Sequence, residues 1–141
     1  MIPKHILVGY DGSPYAETAF EDAVDLAAAA GATLSVVSVA SPPEPPDEVE
    51  TAAVLEAATR HYETLFDDLR RRADERGVTL QTRVVVGHPA DQIIKTAVAR
   101  GADLIVVGHR GRSAIKEWVF GSISRRIVAH APCSVLVARP R

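Results

Sequence analysis

The chain has 141 residues, a formal net charge of −2 and a pI near 6.2, which reads as one domain over residues 1–141 with enough length to bury a core. The near-neutral balance supplies no broad basic field, so non-specific nucleic-acid binding has little electrostatic support. The lone cysteine, Cys133, allows no internal disulfide, and no apolar run approaches the roughly 20 residues of a membrane-spanning helix, so a soluble cytoplasmic protein without a signal peptide is expected.

Residues His5 to Tyr10 form an apolar run that reads as a strand, followed by Asp11-Gly12-Ser13-Pro14. Ser13 suits a helix N-cap and Pro14 the first helical position. Ala16, Ala19, Phe20, Ala23, Ala27 and Ala30 recur at steps of three and four and predict an amphipathic helix closed by Gly31. Thr33 to Ala40 reads as a second, buried strand. The proline-rich stretch 41–48 cannot be regular structure. Helix returns after Asp47 and runs to Arg76, with Leu55, Ala58, Tyr62, Leu65, Phe66, Leu69 and Ala73 on one face and Gly77 as its stop.

Val78 to Val86 reads as a third strand whose imperfect alternation predicts shallower burial. Gly87-His88-Pro89 repeats the strand, turn, helix logic, with His88 as a cap and Ala90, Ile93, Ile94 and Ala97 facing inward as far as Gly101. The apolar run to Val107 is a fourth strand. Beyond a glycine-bearing loop, Ile115, Val119, Ile123 and Ile127 keep helical spacing, Pro132 ends the helix, and Cys133 to Ala138 forms the last strand, placed at a sheet edge. Strands alternating with helices require right-handed crossovers and a mainly parallel sheet covered on both faces, a doubly wound α/β fold. Ligands of such folds settle at the carboxyl ends of the two strands flanking the reversal of winding.

The stretch Gly108 to Ser122, GHRGRSAIKEWVFGS, lies where a strand gives way to a helix. Glycine there allows close backbone approach, and a helix N-terminus offers unpaired N–H donors, so the stretch favours an anion and phosphate above all. The Walker pattern and GxGxxG are both missing, which disfavours a P-loop enzyme or a Rossmann dehydrogenase. The spacing is Gly108, two residues, Gly111, nine residues, then Gly121-Ser122.

With HILVGYDGS, GHPADQII, ADLIVVGHRG and FGSISRRIVAHAPCSVLVAR, this spacing resembles the universal stress proteins over essentially the whole chain. The resemblance implies a five-stranded sheet of order 3-2-1-4-5, like the adenine nucleotide α-hydrolases, with ATP bound, with or without Mg²⁺, and a homodimer formed through Cys133–Ala138. It implies a nucleotide site shared by Tyr10, Asp11, Gly12 and Ser13, by Val39, by Gly108, His109, Arg110, Gly111 and Arg112, and by Gly121, Ser122, Ile123 and Ser124. Val39 corresponds to a position whose backbone contacts adenine.

Each of these residues has a plainer reading. Asp11 contacts ribose, holds a metal or shapes an Asx turn. Arg110, Arg112 and Lys116 neutralise phosphate or are solvated surface charges; the same choice applies to Arg125 and Arg126. His109 departs from the family, which more often has a small hydroxyl residue there; its imidazole stacks on nucleotide, bonds phosphate or acts as a base. His5, His61, His88 and His130 lack metal-ligand spacing and read as bland positions. Cys133 reads as a packing residue, and Trp118 covers the loop or packs near the dimer interface. No orienting carboxylate or nucleophile stands at motif spacing, so no catalytic residue is assigned. The leading expectation is a nucleotide-dependent binding protein of the stress response; the alternatives are a weak ATP hydrolase assisted by His109 or Asp11, and a dimeric interaction protein that binds no nucleotide.

Overall fold

The computed structural model describes residues 1–111 and 120–140. Its elements are β1 (His5–Gly9), α1 (Pro14–Ala30), β2 (Thr33–Ala40), α2 (Glu48–Glu75), β3 (Leu80–Val86), α3 (Pro89–Arg100), β4 (Leu104–Gly108), α4 (Ser122–His130) and β5 (Ser134–Ala138). The strands pair in the order β3-β2-β1-β4-β5, every pair parallel. This is the doubly wound sheet expected from the alternation of strands and helices.

Alternate residues of the central strands feed two cores, because successive side chains point to opposite faces. Ile6, Val8, Leu34 and Val36 pack under α1 and α2 with Phe20, Phe66 and Leu69. Leu7, Val37, Ile105 and Val107 pack under α3 and α4 with Ile93 and Ile127. Local chemistry sets the α1 ends as anticipated: the Ser13 hydroxyl accepts the Ala16 N–H at 3.1 Å, and Gly31 closes the helix at φ 68°. At the opposite end of the sheet from the candidate site, the Asp103 carboxylate accepts the backbone N–H groups of Lys4 and His5. Those bonds hold its pKa below the usual carboxylate value.

Three expectations need correction. Tyr10, Val78 and Cys133 fall just outside β1, β3 and β5. His88 occupies the N-cap of α3, but its side chain makes no capping hydrogen bond. The apolar face read along α2 from Leu55 does not reach the core over that length: Leu55 is 38% exposed, and the buried residues begin at Tyr62. The reason is geometric. A helix of 28 residues extends about 42 Å at 1.5 Å per residue, whereas the eight residues of β2 span about 26 Å, so the N-terminal half of α2 overhangs the carboxyl end of the sheet. The expected helical positions Ile115 and Val119 lie outside the described residues. Both edge strands, β3 and β5, are less buried than the central three, in line with the reading of β3. Among the described residues no helix is long and apolar enough to cross a membrane.

Candidate functional site

Between β1 and β4 the winding reverses, and at the carboxyl ends of these strands and of β2 lies an open cavity of about 1080 Å³. Its floor is built by Tyr10 and Asp11 after β1, Val37 and Val39 of β2, and Val107 and Gly108 of β4. Pro89 and Ile93 of α3 and the first turn of α4 close one side, and Ala57, Ala58, His61 and Tyr62 of the overhanging α2 close the other.

The two loops that supply the proposed contacts meet here although they lie far apart in sequence. Asp11 accepts the Ser13 N–H through Oδ1 at 2.9 Å, an Asx turn, while a Cβ on Gly111 would stand 3.0 Å from Asp11 Oδ2. Gly12 adopts φ 79°, a left-handed conformation that glycine takes without strain. Gly12 and Ser13 shape this loop but do not line the cavity, whereas Asp11 does. Tyr10 is buried, its hydroxyl donating to Glu17, whose other carboxylate oxygen accepts Arg72 at 2.8 Å. Burial, then the Glu17 contact, pushes the phenol pKa well above its ordinary value.

The glycines have separate duties. A Cβ on Gly108 would lie 2.8 Å from the backbone C and O of Tyr15, so this glycine lets β4 pass against the first turn of α1. The Gly108 carbonyl accepts the Ser124 hydroxyl at 2.7 Å, tying α4 to the strand end. Gly121 donates its N–H to the His109 carbonyl at 3.0 Å, and its own Cβ would meet the Arg110 Cα at 3.2 Å. Gly121 is the N-cap of α4, with no side chain to satisfy the first turn. The N–H groups of Ser122, Ile123 and Ser124 therefore have no intrahelical acceptor, and all three residues line the cavity.

Arg110 and His109 part company. Arg110 lines the cavity and is only 7% exposed, and its Nη1, like both ring nitrogens of His109, has no hydrogen-bond partner among the described residues. A buried guanidinium nitrogen without an acceptor is costly. His109 is 1% exposed, and its ring lies 5.6 Å from that of Phe120 rather than on the cavity wall. Burial, with the charges of Arg139 and Arg110, pushes its pKa down, so the imidazole is neutral near pH 7. Its placement suits it neither to grip phosphate nor to activate water in the cavity, and a neutral ring adds no charge to hold an anion. Its backbone is what serves the site, bridging Ala138 and Gly121 at 2.9 and 3.0 Å.

Arg112, Lys116 and Trp118 lie outside the described residues. Arg126 pairs with Asp91 of α3 at 3.0 Å, and neither it nor Arg125 lines the cavity. Among the described residues no group of three or more His, Cys, Asp or Glu could cage a metal ion. The α2 wall went unforeseen in the sequence. The signal for it was the mismatch between a very long helix and the short strands beside it.

The Universal stress protein family model matches residues 3–139. The chain is 39% identical over 139 residues to a protein named as a universal stress protein from Staphylococcus haemolyticus, covering 96% of this chain and 84% of that protein. Among solved structures it is similar to the universal stress protein UspA from Lactobacillus plantarum, with a TM-score of 0.81, 28% identity, and 96% and 97% of the two chains covered. It is also similar to a universal stress protein solved in complex with cAMP, with a TM-score of 0.77, 27% identity and full coverage of both chains.

Proposed function

We propose, from the premise that the chain belongs to the universal stress protein family, that it binds ATP and acts as a nucleotide-dependent binding protein in the stress response, holding the nucleotide rather than consuming it. The observation that carries this reading is the pairing of Arg110 with the open N-terminus of α4, whose Ser122, Ile123 and Ser124 line the same cavity. Together they form an anion site at the end of a cavity large enough for a whole nucleotide. The relative solved with cAMP supports an adenine nucleotide as the anion's carrier.

In this reading Arg110, Gly111 and the N–H groups of Ser122 to Ser124 hold the phosphates, Asp11 accepts from the ribose hydroxyls, and the end of β2 at Val39 meets the base. A magnesium ion would arrive on the phosphates, with Asp11 as the carboxylate at hand. The protein acts as one domain in the cytoplasm. It dimerises through the free edge of β5, where Leu136 is 37% exposed; sedimentation showing only monomer at micromolar concentration would remove that part.

Calorimetric titration with ATP, with and without Mg²⁺, tests the site. The expected affinity is about micromolar, roughly −8 kcal/mol. Gly121→Val forces a branched side chain against the Arg110 backbone and should abolish binding, while equal binding by both proteins defeats the assignment.

A further inference from the structure

Resting on the nucleotide reading above, we infer that the overhanging half of α2 is the base-side wall of the site and that His61 is its base-stacking residue. The cavity has two chemically distinct ends. Arg110 and the α4 N-terminus make one end cationic. The opposite end is built from Val39 and Ala40 of β2 and from Ala57 and Ala58 of α2, an apolar slot. These ends lie two strand spacings apart, from β4 across β1 to β2, or about 10 Å. A ligand whose phosphates occupy the cationic end therefore presents its flat, apolar part to α2.

The core accounts for little of that half of the helix. Residues 48–61 include no buried side chain, and of them only the partly buried Ala58 packs against the hydrophobic core. The face it turns to the cavity pairs two alanines, small enough to leave a slot, with one aromatic ring one turn later, the spacing that places residues side by side on a helix. The ring of His61 is braced edge-on by Tyr62, with centroids 4.9 Å apart and planes 71° to one another. Its nitrogens make no hydrogen bond among the described residues. An exposed, braced, flat ring on a cavity wall is a stacking platform, and such contacts persist across different bases because every base offers a π-face.

Titration with ATP and with inorganic tripolyphosphate separates the two ends. His61→Ala should weaken ATP about ten-fold and leave tripolyphosphate unchanged, and His61→Phe should keep ATP within about three-fold of the parent because the flat ring remains. Ala57→Phe, at an exposed position that folding does not depend on, fills the slot and should block ATP while sparing tripolyphosphate. The thermal midpoint of nucleotide-free His61→Ala should match the parent. ATP binding by His61→Ala equal to the parent's overturns this inference alone, as does an equal loss for ATP and tripolyphosphate. A parent protein that binds neither compound brings down the nucleotide reading and this inference with it.

Discussion

Arg110→Met should bind ATP about a hundred-fold more weakly than the parent while its nucleotide-free form melts about 3 °C higher. The two effects have one cause. In the free protein Arg110 is 7% exposed and its Nη1 lacks an acceptor among the described residues, and an unsatisfied buried polar group costs about 1 to 3 kcal/mol. Methionine keeps the apolar stem's volume and removes that cost, which for a chain of this size corresponds to a few degrees of melting temperature. A phosphate oxygen bonded by the guanidinium would make a charge-assisted hydrogen bond in a partly dry site, and losing it costs about 3 kcal/mol, or a hundred-fold. Thermal denaturation and calorimetry on the same preparations read both quantities. A lower melting temperature, or unchanged affinity, would show that the arginine holds the fold together instead of the ligand. A residue that weakens the free protein and strengthens the complex bears the mark of a binding group, since stability and function pull against each other there.

The second large effect falls on stability. Gly108→Ala should lose about 3 kcal/mol, because the new methyl would sit 2.8 Å from the backbone of Tyr15, and backbone cannot rotate aside as a side chain can. Relief requires α1 to move away from the sheet, which also opens the core around Ala16, Ala19 and Phe20, all buried against β1 and β4. Gly111→Ala makes the informative contrast. Its methyl would meet only the Asp11 carboxylate at 3.0 Å, a side chain able to yield by a few tenths of an ångström, so its stability cost should stay below about 1 kcal/mol. Urea unfolding of both variants measures the difference. Comparable midpoints would mean that the close approach of β4 to α1 is looser than the geometry indicates.

These contrasts bear on how much of the molecule was legible before its tertiary structure. The order of elements followed from hydrophobic periodicity and from local stops and starts: Ser13 and Pro14 opening α1, Gly31 and Gly101 closing helices at φ 68° and 64°. Such signals act within a few residues, so a linear reading captures them. The alternation of strands and helices then demanded a parallel sheet with a reversal in its winding, and with it the place where a ligand would sit. Bringing the Asp11 loop against the loop after β4 needed, besides that rule, the strand order that the family resemblance implies.

The duties of individual residues in the Gly108 to Ser122 stretch were not legible in this way. Gly108, Gly111 and Gly121 look alike along the chain, yet one is small for the sake of α1, one faces a movable carboxylate and one clears the Arg110 backbone. His109 and Arg110 are neighbours, but the imidazole packs beside Phe120 while Arg110 lines the cavity. The wall contributed by His61 arises because α2 outruns the strands it packs on. The sequence by itself determined the elements, their handed winding and the end of the sheet that carries the site, since short-range propensity and chain connectivity suffice for those. Only the tertiary structure decided which side of each loop residue meets the ligand space and which meets the core, because burial is a property of contacts between segments distant in the chain, and a single strand or helix does not contain them.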